Sequence, residues 1–397
     1  MGTVFDYLKK YGKYTFEQMP MTEVDSLALC QLSYLKFDGM VPGLQEGAPG
    51  VTLESLAAHP DREKLFADVR FEKPNRALFE GMLAGRRFGG MKLNYYVNLV
   101  EEEFETQFSA VTFLLEGGMP YVAFRGTDET IVGWKEDFNM AFLSPVPGQA
   151  FSVKYLEEAA GRFQEPFFLG GHSKGGNLAV YSAMNCGVSF QDRILRVYSM
   201  DGPGFRPEVL EEGGYDRIAG KVVKILPTSS LVGMLFESHM HFQVVKSRAF
   251  GLLQHDPFTW QVKANHLVKA NDLYERRRLM DNDLNQWILS LNEEQLRTFV
   301  DTLYQVITAS QADNLIDFTA QWKKSINGVI AALKEVDQET VEILKEMVRS
   351  LLEISRTNRR RQAAARVKAV WGRSAPRPQR QVSPGPERQN KPKPSLR

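Results

Sequence analysis

The pentapeptide Gly171-His172-Ser173-Lys174-Gly175 stands between an apolar run, "PFFLG", and a small-residue run, "GNLAVYSAMNC". A G-x-S-x-G spacing between a strand and a helix suits a nucleophilic serine. Such a serine sits on a strained turn with its hydroxyl exposed. Glycines at 171 and 175 let the flanking backbone and the following helix come close. The helix N-terminus adds N–H groups and the positive end of a dipole beside a developing oxyanion. Ser173 is the candidate nucleophile, and the chemistry is acyl transfer. The bland use of the same residues is a glycine turn that packs a helix on a sheet.

A serine nucleophile needs a base, and the chain holds six histidines. His59 precedes the strand-rich region. His172 lies inside the pentapeptide, with its ring expected to point away from the serine hydroxyl. His239 and His241 alternate on a strand-like run, and His266 falls in a helix-like one. His255, in "LLQHDPFTW", lies in a loop bounded by Pro257 after the last clear strand. That is where a base follows nucleophile and acid in chain order. Its alternative use is to cap a loop. For the acid, Asp201 in "VYSMDGPGF" ends the strand after the nucleophile's strand–helix unit, while Asp256 and Asp128 stay open. Asp201 in Asp-Gly-Pro-Gly would serve equally as a turn residue bonding its own backbone. The turn "RGTD" after the strand "YVAF" offers the backbone N–H of Thr127 to an oxyanion, and Lys174 offers the second. The same turn reads otherwise as a helix N-cap with a buried Arg–Asp pair.

The elements that must hold these residues are legible from periodicity. Residues 1–85 read as a helical segment packed on the core, with Thr22 as the N-cap of "EVDSLALCQLSYL". "TLESLAAHPDREKLFADVRF" looks helical too, and "ALFEGMLAGRRFGG" stops at a glycine pair. From Lys92 three β-rich runs follow, with a hairpin at Gly117-Gly118. Strands alternating with helices then imply an α/β core over 86–282 with a mainly parallel sheet. Residues 283–356 show amphipathic helical spacing.

The net charge of +1 conceals an asymmetry. From Arg356 onward stand thirteen Lys and Arg against one acid, Glu387, so the tail carries +12. The remaining 36 basic and 47 acidic residues give the body −11. Residues 357–397 are basic and proline-rich and predict disorder. Such a tail attracts anionic membrane surface, binds nucleic acid without specificity, or simply solvates the chain. Two cysteines make no disulfide framework, which fits a reducing compartment. No signal peptide or membrane span is evident, so the expected location is cytoplasmic, with peripheral membrane contact through the tail. No zinc, P-loop or dinucleotide motif stands out, so no cofactor or metal is expected.

Taken together, "VAFRGTDETIVGWKEDF" and "GGHSKGGNLAVY" resemble the class 3 (fungal-type) lipase branch of the α/β-hydrolases. "VDSLALCQLSYL", "YSMDGPGF", "LVGML" and "QHDPFTWQV" are similar to the bacterial Mbeg1-like family. The resemblance covers about residues 20–300 and implies an α/β-hydrolase fold, with Thr127 in the oxyanion hole. It implies an ester, thioester or lipid ester as substrate, cleaved by a serine hydrolase of lipase or esterase type. Class 3 lipases place the acid one strand later, where this chain has Ser230 in "KILPTSSLVG". That departure favours a second class of function, an inactive hydrolase fold used as a binding scaffold. "GWKEDFNMAFLSPVPG", with Trp134 and Phe138, reads as a lid or entrance wall.

Overall fold

The computed structural model describes residues 1–67, 69, 71–101, 106–127, 145–230, 232–236 and 240–271. Asp128, Trp134, Phe138, His239, the helices expected over 283–356 and the basic tail lie outside the described residues.

Eight strands form the central sheet, and their spatial order is their chain order. They are β1 (Val51–Thr52), β2 (Lys92–Glu101), β3 (Thr106–Leu114), β4 (Pro120–Phe124), β5 (Phe167–His172), β6 (Ile194–Met200), β7 (Val222–Pro227) and β8 (Phe242–Val245). β1 to β4 pair antiparallel. β4 to β8 pair parallel. The hairpin between β3 and β4 turns at Gly117 and Gly118, which have φ of 84° and 81°, a backbone that favours glycine. This is an α/β fold with a mainly parallel sheet.

The monotonic order decides how the sheet is covered. Crossovers between parallel strands are right-handed. When every crossover steps the same way, the connecting helices fall on one face. Those helices include α4 (Pro147–Ala160) and α5 (Lys174–Asn185). Val122, Phe124, Leu169 and Val197 share a buried core with Leu156 of α4 and Leu178 of α5. The alternate residues Tyr121, Ala123, Phe168, Tyr198 and Met200 belong to a second core. Successive strand side chains point to opposite faces, so this second set needs its own cover.

The N-terminal segment supplies it, through α1 (Val4–Tyr11), α2 (Glu23–Leu32) and α3 (Glu72–Leu83). Leu27 of α2 and Leu78 and Phe79 of α3 are fully buried in that core. In α2 every residue from Val24 to Leu32 is buried, as expected of a helix that is enclosed on all sides. Thr22 is its N-cap residue, and the Asp25 carboxylate accepts from the Thr22 N–H at 2.8 Å.

One buried ion pair ties the segment together. Arg87 donates to Asp25 through Nε at 2.6 Å and Nη2 at 2.7 Å, and the Tyr7 hydroxyl donates to the same carboxylate at 2.6 Å. The guanidinium also donates to the carbonyls of Thr15, Met19 and Pro20. A charge removed from water needs partners of this kind. Two readings change here. Residues 53–66 form a short helix, Leu53–Ala57, and a separate 3-10 turn, Arg62–Phe66, because the His59-Pro60 step interrupts the helix. His266 lies in a two-residue strand, His266–Leu267, rather than a helix.

Candidate active site

The elbow follows from the close approach of β5, α5 and β4. A Cβ on Gly171 would overlap the Gly175 backbone, and one on Gly175 would overlap the Phe124 carbonyl. Only glycine at both positions lets the helix start directly against the strand ends. The turn leaves Ser173 at φ 58°, a left-handed conformation that costs free energy for a non-glycine residue. From Phe167 to Met184 every residue is buried except Ser173. The strain therefore coincides with the one side chain that reaches solvent.

The structure brings Ser173, His255 and Asp201 together. His255 Nε2 lies 3.1 Å from Ser173 Oγ, and His255 Nδ1 lies 2.7 Å from Asp201 Oδ2. A carboxylate only accepts, so the His255 proton sits on Nδ1 and Nε2 is the acceptor for the serine hydroxyl. Asp201 is fully buried at the end of β6, with φ 51° and its N–H bonded to the Ile225 carbonyl. Its side chain turns to His255 and Ser230. The Ser230 hydroxyl donates to Asp201 Oδ1 at 2.5 Å and itself accepts from the Gly233 N–H at 3.1 Å.

Asp256 instead accepts from the Phe258 N–H and caps a short turn, Pro257–Thr259. His59 accepts from the Asp61 N–H, and His266 pairs with Glu23. His241 is exposed and precedes β8.

Sequence reasoning missed the groups that hold the His255 loop. Trp260 Nε1 donates to the Gln254 carbonyl at 2.8 Å, and His172 Nε2 lies 2.9 Å from the His255 carbonyl. The Gln254 side chain accepts from the Thr228 hydroxyl and the Ser229 N–H beyond β7. The Trp260–Gln254 bond lies within "LLQHDPFTW", but Thr228, Ser229 and His172 lie 25 or more positions away.

The turn after β4 abuts the elbow. A Cβ on Gly126 would lie 3.2 Å from Ser173 Cβ, which places the buried Thr127 one residue from that contact. Lys174 opens α5 with its backbone N–H in the first turn. Its buried side chain donates to the Gln107 carbonyl of β3 at 2.8 Å. Among the described residues no group of three or more His, Cys, Asp and Glu could hold a metal ion, and no helix is long and apolar enough to cross a membrane.

A parallel sheet with a serine elbow at the C-terminal end of a central strand defines the hydrolase class of α/β proteins. Within it, the Mbeg1-like family model matches residues 82–305, more than half of the chain, and the chain belongs to that family. The crystal structure of M37 lipase is similar at 15% identity and a TM-score of 0.32, over 54% of this chain and 70% of that one. No curated protein matches the chain.

Proposed function

We propose that the protein is a serine hydrolase that cleaves an ester or thioester through an acyl-enzyme, with Ser173 as nucleophile, His255 as base and Asp201 as orienting acid. The observation that carries this reading is the continuous line from Ser173 Oγ through the His255 ring to Asp201, at 3.1 and 2.7 Å. His255 Nε2 takes the proton as Ser173 Oγ bonds to the acyl carbon. The oxyanion lies at the backbone N–H groups of Thr127 and Lys174. His255 then returns the proton to the departing alcohol or thiol. Water repeats the sequence on the acyl-enzyme and regenerates the serine. The buried carboxylate stabilises the imidazolium that forms in each half.

The deciding experiment is labelling of the purified protein by a fluorophosphonate probe. Wild type labels, while Ser173→Ala does not and His255→Ala labels at least a hundredfold more slowly. A folded wild type that stays unlabelled overturns the reading. Engagement of anionic membrane by the +12 tail is a separate proposal, tested by salt-sensitive vesicle binding that is lost on truncation at Arg356.

A further inference from the structure

His172 occupies the variable position before the nucleophile, and its ring is buried with only 5% exposure. It meets two distant segments at once. Nε2 lies 2.9 Å from the carbonyl oxygen of His255, Nδ1 lies 3.0 Å from the Tyr34 hydroxyl, and the ring centroid lies 4.6 Å from that of His255. A carbonyl oxygen only accepts, so the Nε2 contact requires a proton on Nε2. In the neutral ring Nδ1 is then an acceptor, and the Tyr34 hydroxyl donates to it. The carbonyl contact selects one tautomer, and the hydroxyl, which can donate or accept, completes it.

Tyr34 follows α2, so the helical segment on the far face of the sheet reaches the site through this hydroxyl. The same oxygen occupies the space a Cβ would need on Gly126, in the turn beside Ser173. Tyr34 therefore touches both the elbow and the turn that carries Thr127. The His255 ring is held at its tip by Ser173 and Asp201, and its main chain is held by His172. Gln254 and Trp260 hold the neighbouring residues of the loop, whereas His172 holds the His255 carbonyl itself, and losing that contact would let the ring pivot about its carboxylate bond. The reacting atoms would then leave the near-attack distance, where a displacement of 1 Å costs about a hundredfold in rate.

We propose that His172 is a positioning residue that fixes the main chain of His255 through its Nε2–H, and that the Tyr34 hydroxyl holds the ring in that orientation through Nδ1. This rests on the reading of Ser173 as nucleophile. The test compares fluorophosphonate labelling rates and thermal melting of wild type, His172→Gln, His172→Phe and Tyr34→Phe. Glutamine can place an N–H near the position of Nε2, whereas phenylalanine keeps the ring shape and loses the bond.

His172→Phe labels at least tenfold more slowly at an unchanged melting temperature. His172→Gln stays within about threefold of wild type, and Tyr34→Phe falls between. A His172→Phe rate equal to wild type, or a His172→Gln variant as slow as the phenylalanine one, overturns the proposal. Should His172→Phe not fold, Tyr34→Phe decides, and a wild-type rate there overturns it. A second readout needs no catalysis. Two-bond nitrogen–proton spectra of histidine-labelled protein show His172 as the Nε2–H tautomer in wild type; an Nδ1–H signal there overturns the proposal. An unlabelled wild type that nevertheless shows the Nε2–H tautomer would defeat the hydrolase reading and leave the anchoring of His255 supported.

Discussion

Ser230 and Asp201 leave the ends of the neighbouring parallel strands β7 and β6, and their side chains meet at 2.5 Å. The hydroxyl gives the fully buried carboxylate a donor on the oxygen that His255 does not use. A hydrogen bond to a charged group contributes roughly 1.5–3 kcal/mol. Ser230→Ala is therefore expected to slow fluorophosphonate labelling by about tenfold or more, with the fold intact. Asp201→Asn, which disturbs the His255 tautomer, is expected to slow it on the order of a thousandfold. Equal rates for Ser230→Ala and wild type would show that the hydroxyl is a bystander.

The same pair marks how far the sequence could be read. The elbow was legible because its glycines, strand and helix are contiguous, and each has a local physical cause. His255 was reachable by its position after the last strand. Ser230 was noticed only for not being a carboxylate. Its use depends on two strand ends lying side by side, which no local pattern states. His172 reads only as part of the elbow, yet its ring meets the loop that carries His255. The N-terminal helices were legible as helices. Their task of covering the second sheet face follows only from the one-way strand order, which periodicity does not contain.

The Asp25–Arg87 pair gives a prediction about stability. Both side chains are fully buried, and Arg87 also donates to four backbone carbonyls. Removing one partner leaves an uncompensated charge, a loss of about 3–5 kcal/mol. Arg87→Met should lower the urea midpoint steeply, and the double replacement Arg87→Met with Asp25→Leu should recover part of the loss. A double variant worse than the single one would argue that the carbonyl contacts of the guanidinium dominate.

Gly175 gives a sharper steric test. A Cβ there would overlap the Phe124 carbonyl and lie 3.0 Å from the Arg125 carbonyl carbon. These are backbone atoms of a central strand and its turn, so they cannot swing aside as a side chain would. Gly175→Ala should either fail to fold or lose labelling, whereas Gly220→Ala, with open space around its Cα, should leave both unchanged. Soluble, fully reactive Gly175→Ala would mean that the elbow relaxes more readily than its packing implies.

Alkaline pH should weaken the fold through buried thiols and a buried phenol. Burial pushes the thiols of Cys30 and Cys186 up to about 12, and the Tyr198 phenol likewise. An unfolded thiol titrates near pH 8.5. Above that value the unfolded chain releases the proton while the folded chain keeps it, so unfolding is favoured as pH rises. The stability these thiols contribute is complete below about pH 8.5 and is lost progressively toward pH 12, at up to about 1.4 kcal/mol per pH unit for each titrating group. Urea midpoints should be level between pH 7 and 8 and fall from pH 9 to 10.5, less steeply in Cys30→Ala. For the same reason neither thiol should react with iodoacetamide in the native protein at pH 8, and both should react once urea opens the core. Rapid alkylation of the folded chain, or a midpoint that holds to pH 10.5, would show that water reaches these thiols without unfolding.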